Sequence, residues 1–213
     1  MTFPLVLASA SPRRRELLER AGLEFRVIAP DVDESLRDGT SAEEGARVLA
    51  ERKARAVAAG LALAPDAAPV WVLAADTIVA IEQAGAERLL GKPENEFQAR
   101  QMLRWLSDTR HRVVTGVCAL RCPGDANGAG DAVASGVERT FVRMRAITPA
   151  EVDAYAASRE WEGKAGGYAI QETADRFVTA LEEGGFDNVV GLPVALALEL
   201  LARTGAPCGR TSP

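Results

Sequence analysis

The sequence predicts an α/β protein built on a mixed β-sheet, and three observations support this fold class. Short apolar runs with the spacing of β-strands recur along the chain. Segments with helix-capping signals lie between most of them. Two long strand-like segments in the second half are separated only by a glycine-rich stretch, residues 123–130, which favours a mobile hairpin loop. This mixed order of helices and strands is typical of an α/β chain.

The first predicted strand, residues 3–8, leads directly into a helix. Ser11 can cap that helix with its hydroxyl, and Pro12 suits the first helical position, where a backbone N–H is not needed. The helix is expected to end at Gly22, because glycine readily adopts the conformation that terminates helices. Residues 24–29 form the second predicted strand.

An acidic loop, residues 31–34, precedes the second predicted helix. Ser41 and Glu44 have the spacing of a capping box, and the helix is expected to run to Gly60. Its inward stripe consists of small apolar residues and contains Lys53 in the middle. A charged side chain in that stripe needs a separate explanation.

An apolar run at residues 70–75 is short enough for a buried strand, and a further strand is predicted from Thr77 to Ile81. Asp76 separates the two. The elements expected next are a hairpin turn at residues 83–85, a loop at 91–93 and a helix from Asn95 through Leu106.

The second half is predicted to contain strands at residues 112–120 and 133–147. Thr148 and Glu151 then have the spacing that starts a short helix. Two or three short strands are expected after it, and a closing helix covers residues 193–203.

The composition, 47% hydrophobic and 26% charged, is that of a globular protein. We expect one domain, residues 1–203, with two lobes around one cleft, and a disordered tail at 204–213. The net charge of -5 argues against a protein that coats a nucleic acid polymer or an anionic membrane. Apolar runs are too short to cross a bilayer and no secretion signal is recognisable, so a cytoplasmic protein is expected.

Histidine and cysteine are too few for several classes of site. His111 is the only histidine, which excludes a multi-histidine metal centre and leaves one candidate base for a Ser-His-Asp scheme. Cys118, Cys122 and Cys208 lack the paired spacing of metal ligands and are expected to be reduced thiols. If the protein is an enzyme, carboxylates, lysines and arginines must carry most of its chemistry.

Three charged residues interrupt the local patterns. Lys53 either extends its ammonium past the core into water or borders a cleft where the ammonium contacts a phosphate. Asp76 either caps a turn or requires a cation, a metal ion or a lysine, because an unpaired buried carboxylate is costly. Glu34, in the acidic loop, is either a surface charge or a second carboxylate for a metal.

The start of the first helix concentrates positive charge and hydrogen-bond donors. Arg14 faces inward in the first turn, close to Arg13 and the hydroxyl of Ser9. Arginines oppose the helix dipole at this end unless an anion offsets them, so the cluster favours anion binding. Lys92 and Lys164 each lie near glycines, where a ligand can approach the backbone.

Seven short motifs, taken together, resemble the Maf family over roughly residues 3–203. They are Ala-Ser-Ala-Ser-Pro-Arg-Arg at 8–14, Val-Asp-Glu at 32–34, Lys-Ala at 53–54, Ala-Ala-Asp-Thr-Ile-Val at 74–79, Gly-Lys-Pro at 91–93, Lys-Ala-Gly at 164–166 and Asn-Val-Val-Gly-Leu-Pro at 188–193. The resemblance implies an elongated, two-lobed, ITPase-like α/β architecture with a central cleft, commonly as a homodimer. It also implies hydrolysis of a nucleoside triphosphate to the monophosphate and pyrophosphate.

The resemblance further implies roles for individual residues. Asp76 would be the proton acceptor and, with Glu34, would bind a divalent metal ion, Mg²⁺ or Mn²⁺. The triphosphate would be contacted by Ser9, Arg14, Lys53, Lys92 and Lys164, and we assign Lys53 and Lys92 to catalysis together with Asp76. In the family branch that prefers dTTP and UTP, specificity is associated with positions that match Arg13, Thr77 and Gln171.

Three alternatives to this function stay open at the level of sequence. One is the 7-methyl-GTP branch of the family, since residues 172–175 replace a usually glycine-rich stretch and Phe186 replaces a usual tyrosine. A second is a non-catalytic, nucleotide-binding regulator of septum formation. A third is a phosphatase that releases orthophosphate stepwise. Asp76 could either deprotonate the attacking water or serve only as a metal ligand.

Overall fold

The computed structural model describes residues 4–61, 68–122 and 132–207, and it confirms the α/β class with a mixed sheet. Its strands are β1 (Leu5–Ala8), β2 (Arg26–Ile28), β3 (Val70–Gln83), β4 (Ala86–Leu90), β5 (Arg110–Cys122), β6 (Ala132–Met144) and β7 (Val178–Glu182). Within the described residues these seven strands form one sheet, ordered β2-β1-β3-β5-β6-β7, and β4 pairs with β3. The β1 strand is parallel to β2 and β3, and the other pairs are antiparallel.

The predicted helices are present, with the caps that the sequence indicates. They are α1 (Pro12–Arg20), α2 (Ala42–Ala59), α3 (Glu96–Leu106), α4 (Pro149–Ser158) and α6 (Val194–Arg203), and a short α5 (Phe186–Val190) precedes the last. Thr148 and Glu151 form a complete capping box on α4. On α2, Ser41 accepts the Glu44 N–H, but the Glu44 carboxylate pairs with Arg47 instead of completing the box.

The long strand β3 determines where the sheet opens. One edge pairs with β5 continuously from Val70 to Ala80. The other edge pairs with β1 at residues 71–74 and with β4 at residues 79–83, so residues 75–78 have no strand partner there in the described chain. Asp76 lies in this gap. The two strands predicted on either side of Asp76 are therefore one strand.

The carboxyl ends of β1 and β2 lie beside the gap, at the point where the parallel pairing of β3 stops. Ala8, the last residue of β1, pairs with Ile28 at the end of β2 and with Ala74 in β3. Ligands bind at such strand ends in α/β sheets, because the loops that leave them converge there. The loop to α1 and the acidic loop both start at this edge.

Helices cover both faces of the sheet, and the core is divided into clusters at the two ends of β3. Near its start, Leu73 packs on the face that carries α1 and α6, whereas Val72 and Ala74 pack against α2. Near its end, Val79 and Ile81 join a cluster with residues of α3 and α4. The gap at residues 75–78 lies between these clusters.

Some predicted boundaries are wrong. The closing segment is packed further than expected, since Thr204 and Ala206 are buried and the Trp71 indole donates to the Thr204 carbonyl oxygen at 3.3 Å. Residues 208–213, with Cys208, lie outside the described residues, and the disordered tail stays a prediction. Between α4 and α5 there is one described strand, β7, rather than two or three.

The predicted hairpin turn is confirmed, because Ala84 and Gly85 have φ angles of 52° and 78° between β3 and β4. Residue 3, at which the first strand is predicted to begin, and the whole glycine-rich stretch 123–130 fall outside the described residues. Among the described helices, none combines the length and apolar character that a bilayer crossing requires.

Candidate active site

A pocket of about 590 Å³ opens at the gap in β3. It is lined by all ten residues singled out from the sequence, which are Ser9, Arg13, Arg14, Glu34, Lys53, Asp76, Thr77, Lys92, Lys164 and Gln171. They come from the β1–α1 loop, α1, the acidic loop, α2, β3, the loop after β4 and the segment that follows α4. The fold therefore brings together residues that are far apart in the chain.

Four charged side chains form a continuous ionic chain on the α2 side of the pocket. The Lys53 ammonium contacts Asp76 Oδ1 and lies 2.6 Å from Glu34 Oε1. Lys92 Nζ lies 3.1 Å from the other oxygen of Glu34. The Lys53 side chain is only 7% exposed, so the alternative in which its ammonium extends into water is wrong. Lys53 instead bridges two carboxylates.

Glu34 is ionised at neutral pH in this arrangement. Partial burial raises its pKa, but hydrogen bonds and charge attraction from Lys53, and then from Lys92, outweigh this effect and hold the pKa below its ordinary value. Glu34 is thus part of the pocket and not an isolated surface charge.

The position of Lys53 depends on a close approach of α2 to β5. Gly116 pairs with Asp76 across the sheet, and a Cβ atom at Gly116 would lie 2.3 Å from the carbonyl carbon and oxygen of Ala46 in α2. Only a residue without a side chain allows this contact. The helix can therefore reach far enough over the sheet to bring Lys53 to Asp76.

Arg14 is held on the opposite side of the pocket. Its Nε donates to the Gly191 carbonyl oxygen at 2.7 Å, and its Nη2 donates to Thr77 Oγ1 at 3.0 Å. Burial lowers the pKa of the guanidinium, and the nearby Asp76 charge partly opposes this. Two hydrogen-bond donors of Arg14, which the sequence predicts to bind an anion, are therefore already bonded to groups of the protein. Arg13 also lines the pocket, next to Arg14.

Ser9 is buried and accepts the Ser11 N–H on its hydroxyl at 3.1 Å, which shapes the loop before α1. Lys164 is only 8% exposed; its ammonium contacts the Glu160 carbonyl oxygen and lies 3.1 Å from Glu172 Oε2. Gln171 lies exposed at the rim. Lys164 is therefore already paired within its own loop.

Sequence reasoning missed several residues of the site. Glu172 was noted only as a departure from a family pattern, although it pairs with Lys164. Thr115 is completely buried and lies 3.0 Å from the Thr77 hydroxyl. Its signal was available, since a threonine interrupts the apolar residues of the strand predicted at 112–120.

His111 is not a residue of the pocket. It is buried and lies 2.8 Å from the hydroxyl of Tyr168, which does line the pocket. Burial lowers the pKa of His111 to about 3, so the ring is neutral at physiological pH. A Ser-His-Asp scheme therefore finds no base at this site.

The donor set suits a hard divalent cation that is completed by a ligand. Glu34 and Asp76 supply carboxylate oxygens on either side of the Lys53 ammonium, and Asp76 Oδ2 makes no hydrogen bond with another described residue. Among the described residues there is no group of three or more acidic, histidine or cysteine side chains arranged for a metal. Mg²⁺ is commonly held by one or two carboxylates together with substrate phosphates and water.

The charges in the pocket define the kind of ligand it can bind. Five cationic side chains, those of Arg13, Arg14, Lys53, Lys92 and Lys164, line it together with four carboxylates, those of Glu34, Asp76, Glu162 and Glu172. Cationic side chains suit the oxygens of a polyanion, and carboxylates suit a metal cation bound to it, so this cleft can accept both together. The fold and site thus define an α/β protein with a pocket for a phosphorylated ligand at the ends of parallel strands.

The chain belongs to the family of Maf-like proteins, whose model matches residues 4–204. It is 45% identical over 208 residues to a protein of Anaeromyxobacter sp. (strain Fw109-5) named dTTP/UTP pyrophosphatase, covering 97% of this chain and 92% of that protein. A protein of the same name from Sphingopyxis alaskensis is 45% identical, covering 96% and 98% of the two chains. The Staphylococcus aureus Ham1 structure shows a weaker likeness, with a TM-score of 0.37 and 17% identity over 66% of this chain and 71% of the other.

Proposed function

We propose that the protein is a nucleoside triphosphate pyrophosphatase that hydrolyses dTTP and UTP to the nucleoside monophosphate and pyrophosphate. The observation that carries the proposal is the convergence of five cationic and four acidic side chains on one pocket, with Asp76 in the gap of β3. The names of the similar proteins support the same reaction and the same two substrates.

The cationic side chains bind and orient the triphosphate. Lys53 and Lys92 offset its negative charge from the α2 side, and Arg13 and Arg14 do so from the start of α1. Lys164 adds a cationic group from the segment that follows α4. Binding the phosphates between these groups fixes the α-phosphorus in front of Asp76.

The hydrolysis is a displacement at the α-phosphorus. A water oxygen forms a bond to this atom, the bond to the bridging oxygen of the β-phosphate breaks, and pyrophosphate leaves with the bonding electrons. Asp76 orients the water through Oδ2 and accepts its proton. Lys53 holds Asp76 through the other oxygen, which keeps the carboxylate in place.

Glu34 and Asp76 would hold Mg²⁺ or Mn²⁺, together with phosphate oxygens and water. When bound, the metal ion polarises the phosphate groups and offsets the charge of the leaving pyrophosphate.

The proposal also covers the location, subunit number and domain organisation of the enzyme. It acts in the cytoplasm as a homodimer, with residues 1–203 forming one domain of two lobes around the pocket. These points rest on the family resemblance. Light scattering of the purified protein during gel filtration measures the subunit number, and a monomer at micromolar concentration would contradict the dimer.

A substrate panel tests the proposed reaction. The protein is incubated with Mg²⁺ and dTTP, UTP, their methylated analogues, CTP or 7-methyl-GTP, and pyrophosphate and orthophosphate are measured separately. We expect pyrophosphate from dTTP and UTP in preference to the others. Stepwise orthophosphate would identify a phosphatase, a preference for 7-methyl-GTP the other family branch, and binding without any product a regulator.

A further inference from the structure

A chain of hydrogen bonds leads from the pocket into the core. Arg14 Nη2 donates to Thr77 Oγ1 at 3.0 Å, the hydroxyls of Thr77 and Thr115 lie 3.0 Å apart, and Thr115 Oγ1 donates to the Asn188 carbonyl oxygen at 3.0 Å. Thr77 lines the pocket, whereas Thr115 is completely buried behind it. The chain therefore connects the pocket wall to a group that no ligand can reach.

The direction of these hydrogen bonds follows from the number of protons. A carbonyl oxygen can only accept, so the single hydroxyl proton of Thr115 is directed at Asn188. Thr77 must then donate its own proton to Thr115. A guanidinium can only donate, so Arg14 occupies one lone pair of the Thr77 oxygen. Thr77 is left with one free lone pair and no free proton to offer a ligand.

Both ends of this chain of hydrogen bonds are fixed by α5 and the glycine that follows it. The Asn188 side chain donates to the Val113 carbonyl oxygen at 3.1 Å and to Thr140 Oγ1 at 2.8 Å, which fixes this helix on β5 and β6. The Gly191 carbonyl oxygen accepts from Arg14 Nε at 2.7 Å. Neither Arg14 nor Thr115 can therefore turn away without losing a second contact.

We propose that Thr115 is a positioning residue for base selection: it fixes Thr77 as a hydrogen-bond acceptor toward the pocket. Such a pocket favours a nucleobase that presents an N–H group, as the imide of uracil and thymine does. It disfavours a base that presents an unprotonated ring nitrogen at the same place, as cytosine does. A buried polar contact without a matching partner is costly, which makes the discrimination effective. The inference rests on the proposed function and adds a residue that acts through Thr77.

The test compares UTP with CTP, which differ in the base alone. Thr115→Val removes the hydroxyl with little change of shape and frees the Thr77 proton to point into the pocket. The ratio of kcat/KM for UTP to that for CTP should then fall about tenfold, as expected when one mismatched hydrogen bond is relieved. Thr115→Ser keeps the hydroxyl and should keep the wild-type ratio.

Thr140→Val is the matched control. Thr140 is a completely buried threonine that accepts from the Asn188 side chain, but it makes no contact with Thr77. The substitution loses a comparable buried hydrogen bond and should leave the UTP to CTP ratio unchanged. Thermal unfolding shows whether the variants are folded. If Thr115→Val does not fold, Thr77→Val, which removes the acceptor itself, should lower the same ratio.

Binding measurements separate this inference from the proposed reaction. Calorimetry with the non-hydrolysable α,β-imido analogues of UTP and CTP should show the same loss of preference in Thr115→Val without turnover. If the wild-type protein releases no pyrophosphate but the binding preference changes as stated, the reaction is wrong and the inference stands. The inference is overturned if the wild-type protein does not distinguish the two bases, if folded Thr115→Val keeps the preference, or if Thr140→Val loses it equally.

Discussion

The ammonium of Lys53 and the carboxylate of Asp76 form an ion pair in which the two side chains are only 7% and 9% exposed. Lys53 comes from α2 and Asp76 from the middle of β3. Glu34 provides the second contact of the ammonium at 2.6 Å. Because Lys53 and Asp76 are largely removed from water and Glu34 shares the same ammonium, changing one of these charges alters the balance of all three.

Replacing Asp76 with Asn should lower pyrophosphate release by about 10²–10⁴-fold, the range for loss of a proton acceptor. The fold should persist, since Lys53 keeps Glu34 as a partner and the cost stays below the ~3–5 kcal/mol of a fully orphaned buried charge. Initial rates with UTP and circular dichroism measure the two effects. Asp153→Asn is the control, because the Asp153 side chain is 57% exposed and pairs with Arg100, outside this cluster of charges. Near-normal turnover in Asp76→Asn would remove this residue from the mechanism.

Removal of divalent cations with EDTA should abolish activity, and Mg²⁺ or Mn²⁺ should restore it. In Glu34→Gln we expect the half-saturating Mg²⁺ concentration to rise about tenfold, which corresponds to ~1.4 kcal/mol of binding free energy. Glu199→Gln is the matched control, because Glu199 is 65% exposed on α6 and its ion-pair partner within the described part of the chain is Arg203. Unchanged Mg²⁺ dependence in Glu34→Gln would exclude this side chain as a ligand.

The buried His111 should make the protein less stable as the pH falls below about 6.5. Its folded-state pKa is lowered to about 3 by burial, whereas the unfolded chain takes up the proton near pH 6.5. The stabilisation is thus complete above the unfolded pKa and declines by at most ~1.4 kcal/mol per pH unit below it. Urea unfolding between pH 7 and 5 measures this slope.

His111→Gln provides the comparison, because glutamine can bond the Tyr168 hydroxyl but does not titrate in this range. The slope between pH 6.5 and 5 should become shallower in the variant. Equal slopes in both proteins would mean that His111 is protonated in the folded state.

Gly116→Ala should destabilise the protein by about 1–3 kcal/mol or more, because the new methyl group meets the backbone of α2 and must push this helix away. Since α2 carries Lys53, UTP hydrolysis should also slow. Gly136→Ala is the control, because the nearest atoms to its methyl group would belong to the flexible Leu196 side chain, the first at 3.0 Å, and not to backbone. If both variants were equally stable and active, the close approach at Gly116 would have no role in placing Lys53.

Local signals predicted the helices well and the short edge elements poorly. The caps at Ser11, Asn95 and Thr148 were readable because each involves residues within three positions of one another. The strand β4 and the helix α5 have five residues each, and both depend on contacts with distant segments. The sequence predicts a break between strands at Asp76, because the compensating charge, Lys53, lies elsewhere in the sequence.

The sequence predicts which residues line the pocket but not which residues contact one another there. All ten singled-out residues line it, since charges that interrupt apolar patterns and the family motifs both pointed to them. Neither source revealed that Lys164 is paired with Glu172, that Arg14 is bound to Gly191, or that Thr115 supports Thr77. Such partners lie far apart in the chain, and no local spacing records them.

The sequence by itself determined the α/β class, the helix starts and the set of ionisable groups available for chemistry, because these depend on side-chain type and on neighbours a few residues away. Only the tertiary structure decided which lysine meets which carboxylate, where β3 loses its strand partner, and which way the Thr77 hydroxyl can bond. Those outcomes depend on distances between segments that the chain brings together only by folding, and on the number of protons that each group can share.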